Sequence, residues 1–313
     1  MSGLLSVVLP AYNESEVIEL SIKTLCETFE NANINYELVF VDDGSKDDTW
    51  KKLSDASSDS HIKAIHFSRN FGKEAAIFAG LEMSKGDCVI VMDCDLQHPP
   101  KTAVEMYHLW EQGFEVVEGV KNTRGKETIF HTIAANTFYK MMSSSAGIDM
   151  SRASDFKLLD RKAVTALLKL PERNMFFRAL SSWVGFKSTQ IEYDVAERAG
   201  GSSKWSTVSL VKYALKNITS FTSFPLQLVS ICGVVMILIC IFFAVEAIIT
   251  YSQGNAKEGF TTVILLLTFA SSVLMLSLGI IGYYLSKIYE EIKGRPRYII
   301  AETRNMIDET RNI

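Results

Sequence analysis

Two carboxylates follow an apolar run in a pattern that suits a divalent cation. Asp93 and Asp95 are separated only by Cys94 and come directly after residues 88–92, CVIVM. Alternate side chains of an extended strand point the same way, so both carboxylates can approach one ion. Mg²⁺ binds few protein carboxylates and takes phosphate oxygens as further ligands. The spacing therefore predicts a site for Mg²⁺ or Mn²⁺ together with a diphosphate, rather than a metal held by protein groups alone.

Three more polar clusters follow apolar runs earlier in the chain. The clusters are PAYNES after residues 4–9, DDGSKDD after residues 36–41 and SRNFGKE after residues 62–67. Segments with helical patterns lie between the runs, and this alternation predicts a mostly parallel α/β sheet with helices on both faces. Because such sheets bind ligands beyond the carboxyl ends of their strands, we expect all four clusters to meet at one edge. Helix capping would explain one polar residue per loop, but not two adjacent carboxylates.

Composition and missing motifs exclude several classes of protein. The 313 residues carry a net charge of −4, which argues against broad nucleic-acid binding. Neither a GxxxxGK(S/T) loop nor a GxGxxG loop occurs. Because these loops are the usual fingerprints for binding ATP or a dinucleotide, their absence argues against a kinase or a dehydrogenase. The five cysteines show no spacing typical of a zinc site and fit a reducing compartment. Any nucleotide must therefore be held by other means.

Two long apolar runs later in the chain predict a membrane hairpin. Residues 226–249 and 261–285 are each long enough to cross a hydrocarbon layer of about 30 Å as a helix. Lysines and arginines precede the first run and follow the second, while the connection holds only Lys257. Because basic residues concentrate on the cytoplasmic side, we expect both termini to be cytoplasmic. A soluble helical hairpin is the alternative, but soluble cores rarely bury two such runs.

The predicted organisation has six parts. They are a catalytic domain at 1–205, a juxtamembrane amphipathic helix at 206–225, a first span at 226–250, a short extracytoplasmic loop at 251–260, a second span at 261–286 and a cytoplasmic tail at 287–313. A further amphipathic segment, residues 128–142, suits packing on the sheet and contact with membrane lipids equally well. Small hairpins gain from packing against copies of themselves, so we expect a homo-oligomer.

Several ordered motifs resemble one enzyme family over nearly the whole chain. The motifs are SVVLPAYNES, VDDGSKDDT, SRNFGKEAAIFAGL, DCDLQHPP, SDFKLLDR and PERNMFFRALSSWVG. Together they resemble the polyprenyl-phosphate glycosyltransferases of glycosyltransferase family 2, with a catalytic domain similar to that of dolichol-phosphate mannose synthases. Bacterial bactoprenol (undecaprenyl phosphate) glucosyltransferases are the most similar. The resemblance implies a GT-A fold, a UDP-sugar donor, a polyprenyl phosphate acceptor, inversion at the sugar and a place in the bacterial inner membrane.

The resemblance also implies roles for individual residues. Those assigned to the nucleoside are Pro10, Tyr12, Glu14, Asp42 and Asp43. Asp93 and Asp95 serve the diphosphate and the metal, Asp95 counts among the catalytic residues, and Gln97 lines the same nucleotide pocket. Asp155 matches the family's catalytic base, and the same residue could instead orient the acceptor. The alternative without a catalytic role is that Asp155 caps a helix. His98 stands where relatives often have aspartate, and we expect it to be a neighbouring loop residue rather than a ligand.

Two phosphate-bearing substrates need positive charge, and several loops supply it. The candidates are Lys73, Arg124, Arg198, Ser203 and Lys204. The last three belong to RAGGSSKW, where glycines let backbone N–H groups approach an anion and arginine can bind phosphate with two bonds. We expect this run to bind the lipid phosphate. The alternative for any single basic residue is a solvated surface charge.

Two other functions stay open on the sequence. A processive polysaccharide synthase also joins a GT-A domain to membrane helices, but two helices make a poor conduit and no QxxRW sequence occurs. An inactive nucleotide-sugar sensor or scaffold is disfavoured by intact Asp93, Asp95 and Asp155. The sugar is not fixed either: glucose leads by resemblance, and N-acetylglucosamine, galactose and mannose stay open.

Overall fold

The chain divides into two compact units, one comprising residues 1–210 with 295–313 and the other residues 211–294. The structure is a computed structural model, and it describes residues 3–122, 154–172, 176–195, 224–253 and 259–306. The first unit contains a mixed β-sheet with its helices, and the second contains two long helices.

One sheet organises the first unit and has eight strands within the described ranges. They are β1 Leu5–Ala11, β2 Tyr36–Asp42, β3 Ile62–Phe67, β4 Cys88–Val91, β5 Val116–Lys121, β6 Lys157–Asp160, β7 Ser188–Tyr193 and β8 Ile300–Arg304. Their order is β7-β5-β6-β4-β1-β2-β3-β8. β1 is parallel to β2 and β4, β2 to β3, and β5 to β7, while β6 and β8 run antiparallel to their neighbours. The predicted mostly parallel α/β sheet is confirmed.

Six helices of the described residues belong to this unit. They are α1 Ile18–Asn31, α2 Thr49–Ala56, α3 Lys73–Met83, α4 Pro100–Glu111, α5 Arg161–Leu168 and α6 Phe177–Trp183. α1 turns Ile18, Leu25 and Phe29 into the core, which is the spacing of one helix face. α3 lies directly on β1, because Gly80 has no Cβ; an added one would stand 2.3 Å from Val8 Cγ1.

The four predicted apolar runs, at 4–9, 36–41, 62–67 and 88–92, coincide with β1 to β4 to within two residues at each end. α1 begins only at Ile18, because the N–H groups of Val17 and Ile18 both bond to the carbonyl of Glu14 in a turn. Asp155 does not cap a helix, so that alternative is wrong. α5 is capped by Asp160 instead, whose carboxylate accepts from the N–H of Lys162.

The second unit consists of α7, Phe224–Ser252, and α8, Phe260–Ile292. Each contains a segment long and apolar enough to cross a membrane, Ile231–Thr250 and Leu266–Ile292. The two predicted apolar helices are therefore confirmed. α8 extends to Ile292, beyond residue 286, where the second span was predicted to end, and Gly294 with φ of +60° follows the helix.

After α8 the chain contributes a strand to the sheet of the first unit. Residues 297–305, here named the return segment, include β8, which pairs antiparallel with β3. The register places Phe67 opposite Ile300 and His66 opposite Glu302. The sequence did not predict this pairing and assigned these residues to a tail.

Candidate active site

Four charged side chains meet beyond the carboxyl end of β4. Lys73 Nζ lies 2.6 Å from Asp93 Oδ1 and 3.1 Å from Asp155 Oδ2. Arg178 donates to the two oxygens of Asp155 with Nε at 2.7 Å and Nη2 at 2.9 Å. The fold thus brings together three of the residues selected from the sequence and adds Arg178 to them.

Sequence reasoning missed Arg178, although the residue lies in the motif PERNMFFRALSSWVG. Its neighbours in α6, Phe177, Ala179 and Leu180, are buried, whereas its own side chain is 30% exposed. A single arginine in a short apolar helix needs a fixed anionic partner, and that pattern is the signal that could have found it. The two parallel bonds to Asp155 fix the orientation of the carboxylate as well as its charge.

Electrostatics keep this cluster ionised. Burial alone would raise the pKa of Asp155, but the charges of Lys73 and Arg178 hold that pKa well below its ordinary value. Burial also opposes the charge of Asp93, and the nearby Lys73 nevertheless lowers its pKa. In return, the two carboxylates raise the pKa of Lys73 against the effect of burial. A carboxylate with so low a pKa is a weak base at neutral pH.

A buried lysine supports the cluster from behind. The side chain of Lys157 is 1% exposed, and its Nζ lies 2.9 Å from Glu118 Oε1. The same ammonium donates to the hydroxyls of Ser181 at 2.9 Å and Ser182 at 3.1 Å, both in α6. Burial lowers the pKa of Lys157, and Glu118 opposes that shift. Lys157 therefore ties β5 and β6 to the helix that carries Arg178.

We expect Lys157→Met to destabilise the protein by about 3–5 kcal/mol, because Glu118 is left without its cation in a mostly buried place. The matched control is Lys157→Met combined with Glu118→Gln, which leaves no unpaired charge and is expected to recover about half of the loss or more. Urea unfolding of the detergent-solubilised chain, followed by tryptophan fluorescence, measures both. Equal losses in the single and the double variant would contradict the assignment.

Glu74 makes the stability of this region depend on pH. Its Oε2 accepts the N–H of Phe177 at 2.9 Å, which joins α3 to α6. Burial first, and then the charge of Asp155, raise the pKa of Glu74 to about 7. The folded protein therefore holds this proton more tightly than the unfolded chain. The resulting stabilisation is complete below the unfolded pKa, near 4.5, and is lost as the pH rises through about 7.

Glu74→Gln mimics the protonated side chain at every pH. We expect its melting temperature to lie close to that of the wild type at pH 4.5 and above it at pH 8, by about 4–8 °C or more. Thermal unfolding of both proteins across this range is the measurement. A difference that stays constant from pH 4.5 to pH 8 would show that Glu74 does not titrate as described.

The loop after β4 holds the two predicted metal ligands. Asp95 is buried, and its Oδ1 accepts the N–H of Gln97 at 3.1 Å. Leu96 between them has φ of +60°, a left-handed conformation that is uncommon for a branched side chain. This constrained turn sets the direction in which Asp95 leaves the strand, and residues held in this way cluster at functional sites.

His98 braces the same loop from inside the protein. Its ring is buried, stacks on Phe156 with centroids 4.6 Å apart and meets Tyr193 edge to face. Its Nδ1 accepts the N–H of Asp93 at 3.1 Å, and burial lowers the pKa of the imidazole. The place of His98 is thus that of a neighbouring loop residue.

A cleft of about 520 Å³ lies beyond the ends of β2 and β3. It is lined by Tyr12, Gly44, Ser45, Lys46, His66, Phe67, Ser68, Arg69 and Asn70. Of the residues assigned to the nucleoside, Tyr12 is in this lining; His66, Phe67 and Arg69 were not singled out. Gly44 has φ of +66°, and an added Cβ would stand 2.4 Å from the carbonyl carbon of Arg69, so the two loops touch only because residue 44 is glycine.

Asp42 and Asp43 are buried and hold the loops that form this cleft. Asp42 accepts the N–H of Ser45 at 3.1 Å and lies 2.7 Å from Nδ1 of His66. Asp43 accepts the N–H groups of residues 71–72 at 2.6 and 2.9 Å. Burial raises the pKa of Asp43 to about 6. Both carboxylates therefore shape the cleft through bonds within the protein.

The other residues selected from the sequence fall into two groups. Pro10 is buried in β1, and Glu14 begins the turn before α1, where its N–H bonds to Thr49 Oγ1 at 2.9 Å. Those that lie outside the described residues are Arg124, Arg198, Ser203 and Lys204, together with the amphipathic segment 128–142 and all but the last two residues of 206–225.

The donor atoms near β4 fit a metal that is shared with a substrate. Within the part of the chain that the structure describes, no three His, Cys, Asp or Glu side chains come together as a metal site. Asp93 and Asp95 would therefore supply two protein carboxylates to a metal, and the remaining ligands would come from the substrate and water. Mg²⁺ commonly takes one or two protein carboxylates and completes its shell with phosphate oxygens and water, so this pair fits Mg²⁺ or Mn²⁺.

Comparison with known proteins agrees with this architecture. The sequence model of the protein family named glycosyl transferase family 2 matches residues 6–168. A Bacillus subtilis glycosyltransferase is 40% identical over 96% of this chain and 92% of that protein. An Escherichia coli prophage bactoprenol glucosyl transferase homolog is 34% identical over 96% and 99% of the two chains. A Shigella flexneri prophage-derived bactoprenol glucosyl transferase is 36% identical over 96% and 98%.

The mostly parallel sheet, the charged cluster at its edge and the neighbouring cleft define a GT-A-like glycosyltransferase. The chain belongs to glycosyl transferase family 2.

Proposed function

We propose that the protein transfers a sugar, glucose in the first instance, from a UDP-sugar to polyprenyl phosphate with inversion at the anomeric carbon. The observation that carries the proposal is the cluster in which Lys73 and Arg178 gather on Asp155 beside Asp93. Two partly exposed cations beside a predicted diphosphate site suit an enzyme that joins two phosphate-bearing substrates. The names of the Escherichia coli and Shigella relatives support glucose and a polyprenyl acceptor.

The cleft beyond β2 and β3 suits the nucleoside end of the donor. Tyr12 and the partly exposed ring of His66 offer aromatic surface, while Lys46 and Arg69 offer positive charge toward phosphates. Pro10 and Glu14 flank the same loop. The diphosphate would then extend from this cleft toward Asp93, Asp95 and Gln97. When bound by the two aspartates, a divalent ion supplies charge stabilisation for the leaving nucleoside diphosphate.

The residues of the cluster act on the acceptor by orientation more than by proton transfer. A phosphate monoester has its second pKa near 6, so the acceptor is largely dianionic at neutral pH and needs no strong base. A phosphate oxygen forms the new bond to the anomeric carbon, and the bond from that carbon to UDP breaks with its electron pair on UDP. Asp155 holds Lys73 and Arg178 in place, and their N–H groups align the phosphate.

The bonding of Asp155 also favours inversion. Both of its oxygens accept charged hydrogen bonds from Arg178, and one also contacts Lys73, so the carboxylate is poorly placed to attack the sugar itself. Without a protein nucleophile, the acceptor displaces UDP in one step from the opposite face, which inverts the configuration.

The apolar helices suit an acceptor whose tail stays in a bilayer. We propose that α7 and α8 cross the bacterial inner membrane and that the sheet unit and both termini lie on the cytoplasmic side, as the flanking basic residues indicate. RAGGSSKW, with Arg198, Ser203 and Lys204, and Arg124 would add contacts to the lipid phosphate. Packing of the hairpin against copies of itself would complete a homo-oligomer.

The test is transfer of radiolabelled sugar from a panel of UDP-sugars into organic-extractable lipid. The reaction contains the purified full chain, undecaprenyl phosphate and either Mg²⁺, Mn²⁺ or EDTA. Label that enters the lipid from UDP-glucose only with metal is the expected result. Label in a polymer would favour a polysaccharide synthase, and no consumption of any donor under any metal condition would favour a sensor.

A further inference from the structure

The return segment touches three consecutive residues of the cleft, all at the end of β3. Tyr298 stacks on Phe67 with ring centroids 5.0 Å apart and planes 11° apart. The carbonyl of Ile299 accepts the N–H of Ser68 at 3.0 Å. Glu302 lies opposite His66 in the β3–β8 ladder. One wall of the cleft is therefore backed by residues that come after α8.

A second line of contacts runs from the return segment to Asp42. The guanidinium of Arg304 lies 5.4 Å from the ring centre of Trp50 and bonds to Ser54 Oγ at 2.9 Å. Trp50 stacks on His66 at 4.9 Å, and His66 Nδ1 lies 2.7 Å from Asp42 Oδ2. Arg304, Trp50 and His66 thus form a continuous stack that ends at a cleft-lining ring.

Both ends of the return segment are anchored to the sheet unit. Arg297 donates to the carbonyls of Leu170 and Glu172 at 2.7 and 2.8 Å. At the other end, Asn305 donates to the carbonyls of Asp59 and Ile62, each at 2.9 Å. A strand fixed at both ends holds the rings that it contacts in one position, which reduces the ordering that a ligand must pay for on binding.

We propose that the return segment is a positioning element for the donor nucleotide: Tyr298, through the buried Phe67, and Arg304, through Trp50 and His66, hold the end of β3 in the arrangement that binds a nucleoside diphosphate. The proposal rests on the proposed function, since it takes the cleft to be the donor site. Tyr298 contacts Phe67 directly, whereas Arg304 reaches His66 through Trp50, so both side chains act through other residues rather than on the ligand. The affinity for the donor depends on these two side chains. The affinity for the acceptor does not, because Lys73 and Arg178 bind the acceptor.

The experiment measures UDP binding by calorimetry on the detergent-solubilised full chain with Mg²⁺, together with steady-state constants for donor and acceptor. Tyr298→Ala and Arg304→Ala are each expected to raise the dissociation constant of UDP about tenfold and to raise the donor KM similarly, with the acceptor KM and kcat changed less than about twofold. Tyr298→Phe keeps the ring stack and is expected to restore binding to within about twofold. Ala301→Ser, at an exposed position of β8, is the control for substitution in the strand.

Arg304→Lys covers the case in which an alanine variant does not fold. It keeps the charge but loses the flat surface over Trp50, so its UDP affinity is expected to fall between those of the wild type and Arg304→Ala. Folded variants at both positions that bind UDP as the wild type does would overturn the proposal. So would equal increases in the donor and acceptor KM, which indicate a general loss of structure. A wild type that binds no UDP would instead contradict the proposed function itself.

Discussion

Asp155→Asn is expected to lower kcat about 10²-fold or more, the loss that follows when a reacting group is misplaced by about 1 Å. The amide keeps the shape of the carboxylate but removes the charge that gathers Lys73 and Arg178. Both cations then lose their shared partner and no longer hold the acceptor phosphate in line. Transfer of label from UDP-glucose to undecaprenyl phosphate, measured at saturating substrates, gives the value.

The pH profile separates an orienting role from a basic one. Because the pKa of Asp155 is held well below its ordinary value, its titration cannot produce a limb near neutrality. We expect activity to fall below about pH 6 as the acceptor takes up its second proton, and the residual activity of Asp155→Asn to show the same limb. Asp160→Asn is the matched control: Asp160 ends β6 and caps α5, whereas Asp155 lies two residues before that strand. Activity of Asp155→Asn within threefold of the wild type would remove Asp155 from the site.

Asp95→Asn is expected to lower turnover about 10²-fold or more and to raise the metal concentration needed for half-maximal rate. The amide removes one of the two proposed anionic metal ligands. Turnover against Mg²⁺ and Mn²⁺ concentration is the measurement, and UDP binding in EDTA is expected to change less than about twofold.

Asp87→Asn provides the control for this substitution. Asp87 stands just before β4, at the opposite end of the strand from Asp95, where it accepts the N–H of Leu4 at 2.8 Å. This variant is expected to keep its metal dependence. If Asp95→Asn and the wild type respond to metal in the same way, the predicted metal site at the end of β4 is wrong.

The first half of the sheet could be predicted from sequence because its signals are local. β1 to β4 are apolar runs separated by helices, and each ends in a polar cluster, so period and order define the topology. Asp93 and Lys73 could be selected in the same way, whereas Asp155 was selected by resemblance to the family. The contact of Asp155 with Lys73 depends on β6 running antiparallel to β4, and no local sequence pattern predicts that direction.

The second half contains signals that point away from the structure. β6 is only four residues long, and Lys157 within it is fully buried, although lysine is among the residues least often buried. Its ammonium is satisfied by Glu118, Ser181 and Ser182, which are distant in sequence. Arg178 was missed for the same reason, because its partner Asp155 belongs to another element.

β8 illustrates the limit most clearly. Its five residues, IAETR, carry a weak strand pattern and follow a long apolar helix. Arg304 meets Ser54 across 250 positions of the chain, so the contact is invisible to any window of neighbouring residues. A short strand of this kind gains its stability from the edge that it completes.

The position of β8 in the chain also has a consequence during biosynthesis. Ribosomes add about 5–20 residues per second, so β3 waits roughly ten seconds or longer after its own emergence before β8 is made. α7 and α8 leave the ribosome within this interval. Until residues 300–304 follow, β3 is an open edge that can pair with another nascent chain, a known route to aggregation. Lys63 of β3, which pairs with Glu37 of β2, places a lysine on that edge, and lysines on edge strands discourage such pairing. Slowed synthesis between the two strands would therefore reduce the yield of folded enzyme without altering the protein that does fold.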